Sequence, residues 1–288
     1  MKPAPFVWHA PETLDEALAL KAEYGEEARF LAGGQSLVPA MNFRIAQPAV
    51  LIDLNRVAGL SALTADADGA LRTGSMVRNA CLERDPVAQS HPMLREALVE
   101  VAHPQIRNRG TIGGNLVHAD PASEMPAVMQ VLEASFTLRS VRGARTIAAA
   151  DFFTGPLATA LAPDEMLTEI RIPCLPLRTG TAFLEVARRR GDYAMMGVAA
   201  VITLGPDGVC TAARLACCSA GPTPVMTPRA AAALVGTRLW EADLAEATAL
   251  LRTEIDPLGS AQASPAYQRH LAGVLAMRAI LLARDRAT

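Results

Sequence analysis

Apolar residues return every three or four positions in several segments, the spacing that places them on one face of a helix. This spacing predicts helices that begin at 14 and 37 and helices over 79–84, 92–101, 124–132, 229–234, 241–252 and 265–284. Thr13 is the expected N-cap of the first helix, with Glu16 completing a capping box. Ser36 and Ser123 are expected to cap the helices that follow them.

Short apolar runs bounded by glycine and proline alternate with these helices and predict β-strands. The predicted strands cover 29–32, 50–54, 70–74, 135–141, 145–147, 166–172, 181–189, 197–204 and 209–220. A turn between the last two is predicted by Gly205, Pro206, Asp207 and Gly208. Three strands followed by three helices at the end of the chain predict an α+β layer.

A boundary between domains is predicted at 173–180, which contains two prolines and a glycine. We therefore expect an N-terminal lobe over 1–55, a second lobe over 56–177 and a C-terminal α+β domain over 178–288. The length of 288 residues is compatible with this division.

Composition narrows the class of protein. The chain is 51% hydrophobic, enough for a sizeable core, and its net charge of −2 gives no electrostatic case for nucleic acid or an anionic membrane. The N-terminus has no apolar signal region, and the longest apolar run, 197–204, is too short to span a bilayer. We expect a soluble, cytoplasmic protein.

Cysteine and histidine positions argue against a metal or disulfide framework. The five cysteines form no C-x-x-C pair, which favours buried, reduced thiols and leaves the chain without iron–sulfur ligands of its own. The five histidines show no metal-ligand spacing, so no metal site is expected. A basic cluster, Arg188 to Arg190, is either a solvated strand end or a partner or phosphate contact.

Two Gly-Gly pairs stand beside small polar residues at turns out of predicted extended segments. One lies in 31–36 (Leu-Ala-Gly-Gly-Gln-Ser) and the other in 107–115 (Arg-Asn-Arg-Gly-Thr-Ile-Gly-Gly-Asn). Glycine lets a ligand approach the main chain, and successive N–H groups form a concavity that suits phosphate. Neither pair fits the dinucleotide or P-loop patterns. From these residues alone, phosphate or nucleotide binding and a structural turn both remain open.

These two motifs, with Asp53, the His-Ala-Asp-Pro stretch 118–121 and the segment 164–173, closely resemble the FAD-binding medium subunit of molybdenum hydroxylases. That family includes the carbon monoxide and xanthine dehydrogenases, and the resemblance covers essentially the whole chain. It implies an α+β fold with a two-lobed FAD-binding domain of the vanillyl-alcohol oxidase (PCMH) type. An α+β C-terminal domain, with a three-stranded sheet plus helices, would follow.

The resemblance also implies which residues bind FAD, through main-chain N–H groups, hydroxyls and ring contacts. They are Ala32, Gly33, Gly34, Gln35, Ser36, Leu37, Thr111, Ile112, Gly113, Gly114, Asn115, Asp120, Glu124, Leu167 and Tyr193. Glu124 stands where the family usually has Asp and would contact the ribityl or ribose part. Leu167 would lie near the flavin ring, and Tyr193 would pack against it. Glu185 stands near a position where related sequences often carry Lys.

The function implied by the resemblance is electron transfer. Electrons would pass from the [2Fe-2S] centres of a small partner subunit through FAD to NAD⁺, a quinone or O₂. The substrate would be oxidised in a large molybdopterin subunit, the three chains forming a dimer of heterotrimers, so no catalytic residue is expected here. Two alternatives are a standalone flavin-dependent oxidoreductase of the same superfamily and a non-catalytic scaffold subunit.

Overall fold

Three main β-sheets follow one another along the chain. A computed structural model describes residues 2–287. The sheets have three, five and four strands, and a separate two-stranded pair completes the strand inventory of this range. Each main sheet lies within one of the ranges 1–55, 56–177 and 178–288, and the division into two lobes and a domain stays a prediction.

The first sheet is parallel throughout, with strand order β1-β3-β2. Its elements are β1 (Val7–His9), α1 (Leu14–Tyr24), β2 (Ala28–Leu31), α2 (Leu37–Asn42) and β3 (Val50–Asp53). The predicted capping box is confirmed, since Thr13 Oγ1 accepts from the Glu16 N–H at 3.2 Å and the Glu16 carboxylate accepts from the Thr13 N–H. Because β2 and β3 are parallel neighbours, the loops that leave them meet at one edge of the sheet.

The second sheet is antiparallel, with strand order β4-β5-β10-β6-β7. Its strands, with the separate pair β8 and β9, are β4 (Leu63–Ala65), β5 (Leu71–Gly74), β6 (Ser135–Ser140), β7 (Gly143–Ala148), β8 (Phe153–Gly155), β9 (Ala158–Thr159) and β10 (Met166–Ile172). The helices of this region are α3 (Asn79–Arg84), α4 (Pro92–Leu98), α5 (Pro104–Arg107), α6 (Ile112–His118), α7 (Glu124–Val131) and α8 (Ala149–Phe152). All residues of α7 are buried, which makes it the central helix of the core.

The third sheet is antiparallel, in the order β11-β12-β13-β14. Its elements are β11 (Thr179–Ala187), β12 (Ala194–Leu204), β13 (Cys210–Cys218), β14 (Val225–Met226), α9 (Pro228–Leu234), α10 (Glu241–Glu254) and α11 (Pro265–Arg286). The three predicted strands are confirmed, and the short β14 adds a fourth. One face of this sheet packs on the C-terminal helices, whereas the other, which includes Phe183, joins the core around α7.

Several expectations need correction. The strands β1, β4, β8, β9 and β14 were not predicted, because they are only two or three residues long. The second glycine pair does not follow a strand but lies in the first turn of α6. Neither Ser36 nor Ser123 caps its helix with its side chain. Cys81 and Cys174 are exposed rather than buried.

Within residues 2–287, no helix combines the length and the apolar character needed to cross a membrane.

Candidate cofactor site

The first glycine motif forms an open loop between β2 and α2. Gly34 adopts a positive φ of 74°, a conformation that glycine reaches without strain. Within the described chain, the backbone N–H groups of Gly33, Gly34, Gln35 and Ser36 donate to no acceptor. The Gln35 side chain donates to the carbonyl oxygen of Gly33 at 3.1 Å, so it braces the loop from within. Four successive free donors around a left-handed residue form an anion-binding concavity.

The second motif has the main-chain donors of 112–115 already paired. Thr111 caps α6, and its Oγ1 accepts from the Gly114 N–H at 3.1 Å. The Ile112 N–H donates to Val77, and the Gly113 N–H to Ser75. The Asn115 N–H donates to the Thr111 carbonyl oxygen at 3.0 Å. The expectation that both motifs offer main-chain donors is therefore corrected, because the N–H groups of 112–115 are used within the fold.

The two motifs are in direct contact, although they are distant in sequence. A Cβ atom on Gly33 would lie 2.7 Å from the Cα of Gly110 and closer still to the carbonyl oxygen of Arg109. A Cβ atom on Gly114 would lie 3.5 Å from the Cβ of Ala32. The absence of a side chain on Gly33 allows the two segments to meet, whereas the contact at Gly114 is an ordinary van der Waals distance. Together the two segments form one wall.

Two residues outside both motifs hold this wall together. Asn55, which follows β3, donates through Nδ2 to the carbonyl oxygen of Ala32 at 3.1 Å. The guanidinium of Arg78 donates to Asn55 Oδ1 and to the carbonyl oxygen of Arg109, and so joins the loop after β3 to the second motif. Burial and the neighbouring Arg109 lower the pKa of Arg78, but an arginine keeps its charge in proteins.

Sequence reasoning missed Asn55 and Arg78, since neither belongs to a recognisable pattern. The available signal for Asn55 was its position just past Asp53, at the carboxyl end of a strand parallel to β2. Asp53 itself accepts from the Asn55 N–H at 3.0 Å. With Arg109, Arg78 brings positive charge to the wall, which suits a phosphate-bearing ligand.

A second group of predicted residues lies beyond Asn115. Its Oδ1 accepts a hydrogen bond from Ser123 Oγ at 2.9 Å, which ties the end of the second motif to the start of α7. Glu124, the first residue of α7, is 5% exposed. Tyr193 is 66% exposed on the connection from β11 to β12 and lies close enough to Asp120 for their side chains to interact. The structure thus brings these residues to the same side as the second motif.

Leu167 is placed differently from the other predicted residues. It lies on β10 beside an irregularity in the pairing with β6, and its side chain is buried in the core around α7. The next residue, Thr168, accepts the Ser75 N–H through its carbonyl oxygen at 3.0 Å, and the carbonyl oxygen of Ser75 in turn accepts from Gly113. Leu167 therefore connects to the second motif through the backbone of the residue that follows it, and its side chain lies in the core cluster that also contains Ile112.

Within the part of the chain that the structure describes, no group of three or more histidine, cysteine or acidic side chains could hold a metal ion. The acidic cluster of Glu124, Glu185, Asp120 and Glu100 is a set of interacting carboxyl groups. Burial is the largest cause that raises the pKa of both Glu124 and Glu185, and their neighbouring carboxylates raise both further.

Comparison with known proteins covers nearly the whole chain. The family "FAD binding domain in molybdopterin dehydrogenase" matches residues 4–175, and "CO dehydrogenase flavoprotein C-terminal domain" matches residues 181–283. Caffeine dehydrogenase subunit beta of Pseudomonas sp. (strain CBB1) is 41% identical, covering 99% of this chain and 97% of that protein. The carbon monoxide dehydrogenase medium chain of Afipia carboxidovorans is 37% identical, covering 100% and 99%.

Solved structures agree with these relatives. Quinoline 2-oxidoreductase from Pseudomonas putida 86 matches with a TM-score of 0.95 at 37% identity, covering 100% of this chain and 99% of that one. The predicted family, the fold class with its FAD-binding domain and C-terminal α+β domain, and the predicted cofactor are confirmed. The chain belongs to the family of FAD-binding medium subunits of molybdenum hydroxylases, and it is an FAD-binding subunit of an oxidoreductase.

Proposed function

We propose that this subunit receives electrons from [2Fe-2S] centres of a small partner subunit and delivers them through FAD to an external acceptor. The observation that carries the FAD-binding part of the proposal is that the four N–H groups over 33–36 donate to no acceptor within the described chain, next to a contact of Gly33 with Arg109 and Gly110 that leaves no room for a Cβ atom. Pyrophosphate oxygens are acceptors of the kind that such a row of N–H groups binds. The residues present therefore fit the cofactor.

Each motif would have its own task in holding FAD. The loop of Ala32 to Leu37 would bind the pyrophosphate through its free donors. Thr111 to Asn115 would allow the close approach of the cofactor and offer the Asn115 side chain. Asp120, Glu124, Leu167 and Tyr193 would contact the rest of the molecule. When bound, a flavin accepts electrons singly and releases them in pairs.

The remaining parts of the proposal concern the assembly. The names of the relatives, "subunit beta" and "medium chain", support a chain that works within a larger enzyme. We infer a large molybdopterin subunit as the place of substrate oxidation, with the small [2Fe-2S] subunit, in a dimer of heterotrimers located in the cytoplasm. The final acceptor would be NAD⁺, a quinone or O₂, and this chain would supply no catalytic residue.

The binding of FAD by the first motif is tested with two matched glycine variants. Gly34 and Gly59 both have positive φ, 74° and 83°, but a Cβ atom on Gly59 would meet nothing within 4 Å. Alanine at either position costs about 1–2 kcal/mol of stability, because a left-handed conformation is unfavourable for it. At Gly34 the added Cβ atom would also press against Val38 and Leu31, at 3.2 and 3.3 Å. We expect only Gly34→Ala to weaken FAD binding, by about tenfold, the loss that follows when one charge-assisted hydrogen bond is disturbed.

FAD affinity is measured by flavin fluorescence and stability by urea denaturation. Equal FAD affinity in the Gly34→Ala and Gly59→Ala proteins would show that the first motif does not bind FAD.

The electron route is tested by adding substrate to the chain alone and to the chain with both partner subunits. If substrate reduces the flavin only when both partner subunits are present, the result supports the proposal. If substrate reduces the flavin of the chain alone, the result supports the standalone enzyme. A purified chain whose absorption spectrum shows no flavin, even after incubation with FAD, supports the scaffold.

A further inference from the structure

Two glutamates from different parts of the chain meet inside the protein beside the proposed cofactor site. Glu124 begins α7, and Glu185 lies on β11, on the strand face that includes Phe183. Opposite Glu185, β12 carries Gly197. Glu124 is 5% exposed, and both carboxyl oxygens of Glu185 are out of contact with solvent.

Neither carboxyl oxygen of Glu185 has a hydrogen-bond partner within the described chain. The two carboxyl groups are nevertheless close enough to interact directly, and their interaction raises the pKa of Glu185 after the larger effect of burial. A buried carboxylate without a donor is strongly unfavourable, so the protonated form of Glu185 is the stable one.

The groups that surround the pair strengthen this preference. Glu100 and Asp120 are acidic, and Glu100 is itself paired with Arg190 at 3.4 Å. The thiol of Cys218, at the end of β13, and the phenol of Tyr193 are neutral groups that interact with the two glutamates. No basic side chain is among the groups that shift the pKa of either glutamate.

Glu124 is the better placed of the two to carry the negative charge. Its carboxyl group interacts with the backbone N–H at the start of α7, which lowers its pKa against the larger, opposite effect of burial. A helix N-terminus favours a carboxylate. The residue before it, Ser123, is hydrogen-bonded to Asn115 of the second glycine motif, so the Glu124 carboxylate lies next to the proposed site.

We infer that the buried carboxyl group of Glu185 donates a hydrogen bond to the carboxylate of Glu124, and thereby positions that carboxylate to accept hydrogen bonds from the hydroxyl groups of the bound cofactor. Glu185 acts through Glu124 and is a positioning residue. The inference rests on the proposed function, because it assigns Glu124 to the hydroxyl-bearing part of FAD. Loss of the Glu185 proton would remove the hydrogen-bond donor and leave two negatively charged carboxylates that repel each other.

The test compares two substitutions of Glu185 across a pH series from about 6 to about 9, a range that spans the titration of a buried carboxyl group. Glu185→Gln keeps a donor and the side-chain shape but cannot ionise, whereas Glu185→Leu removes the donor. FAD affinity of the unaltered protein should fall as the pH rises above about 7, where Glu124 is ionised and Glu185, whose pKa burial raises to about 9, begins to lose its proton. The affinity of Glu185→Gln should not fall over that part of the range. Glu185→Leu should bind FAD about tenfold more weakly at neutral pH.

The control is Glu133→Gln, because Glu133 is 61% exposed and paired with Arg214 on the surface. Its pH profile should match that of the unaltered protein. A level profile in the unaltered protein, or unchanged affinity in Glu185→Leu, would overturn the inference while leaving FAD binding itself intact. Failure of the unaltered protein to bind FAD at any pH would instead overturn the proposed function.

A second measurement does not depend on FAD. Infrared spectroscopy of the chain at neutral pH should show the C=O stretch of a protonated carboxyl group that is absent from Glu185→Gln. The band should be present in Glu133→Gln. A spectrum without this band, or a band of unchanged intensity in Glu185→Gln, would show that a protonated Glu185 does not contribute to it, and would overturn the inference even if Glu185→Leu does not fold.

Discussion

The two glycine motifs look alike in sequence but differ in what their backbones offer. Among the residues that the structure describes, the N–H groups over 33–36 have no acceptor, while those over 112–115 are already donated to Val77, Ser75 and Thr111. The first motif is therefore suited to bind a ligand, and the second to support the first. The same pair of glycines can thus serve hydrogen bonding in one place and close packing in another.

The difference follows from where each motif sits. The first follows a parallel strand, whose carboxyl end opens to a loop with no further strand to pair its donors. The second enters a capped helix that is also attached to the segment after β5 through Ser75 and Val77. A backbone whose N–H groups are hydrogen-bonded within the fold is held rigidly, whereas a backbone with unpaired N–H groups offers donors to a ligand.

The largest expected effect comes from forcing the motifs apart. Gly33→Val would place a branched side chain against Arg109 and Gly110, where even a Cβ atom has no room. We expect FAD binding to be lost and the free energy of unfolding to fall by about 3 kcal/mol, the upper range for overpacking. Flavin content and urea denaturation measure the two effects.

The surface variant Gly236→Ala is the control for Gly33→Val, because a Cβ atom on Gly236 would meet nothing within 4 Å although its φ is 84°. It should keep FAD and lose about 1–2 kcal/mol of stability. A Gly33→Val protein that retains FAD would show that the contact between the motifs is dispensable.

A smaller effect is expected on the pH dependence of stability, because the two ends of the site carry opposite charges. Arg78 and Arg109 lie where the two motifs meet, whereas Glu124 and Glu185 lie beyond the second motif. Because burial raises the pKa of both glutamates above the ordinary value of 4.5, the folded chain binds more protons than the unfolded one. The contribution of the two glutamates to the free energy of unfolding is therefore fully present below the ordinary pKa of 4.5 and is lost as the pH rises through the raised pKa values.

The fall should exceed about 1 kcal/mol, since one unit of pKa shift corresponds to about 1.4 kcal/mol. Urea denaturation at a series of pH values measures it. Glu185→Gln should make the dependence shallower, because one of the two titrating groups is gone. If the free energy of unfolding depends on pH equally in the unaltered protein and in Glu185→Gln, then Glu185 is not one of the titrating groups.

The smallest expected effects on stability come from the two N-cap positions, Thr111 and Ser36. Thr111 Oγ1 accepts from Gly114, so Thr111→Val should lower the free energy of unfolding by about 1 kcal/mol. Ser36 precedes α2 without capping it through its side chain, so Ser36→Ala should cost less than about 0.5 kcal/mol. Thermal or urea unfolding without added FAD measures both, and a larger effect at Ser36 would reverse the comparison.

Much of the fold was predictable because it depends on local patterns. The capping box of Thr13 and Glu16 and the hairpin turn ending at Gly208 are confirmed, since each is specified by a few neighbouring residues. The caps expected from Ser36 and Ser123 were wrong. Ser123 instead donates to Asn115, a partner that becomes available only when α6 and α7 are packed together.

The sequence by itself determined the family, the FAD-binding fold and the positions of both glycine motifs, because motif residues and hydrophobic spacing are carried by the chain directly. The tertiary structure decided which motif keeps free donors, and that Arg78 and Asn55 join the two. It also decided that Glu185 meets Glu124 away from water. These features depend on burial and on contacts between distant segments, and a local pattern specifies neither.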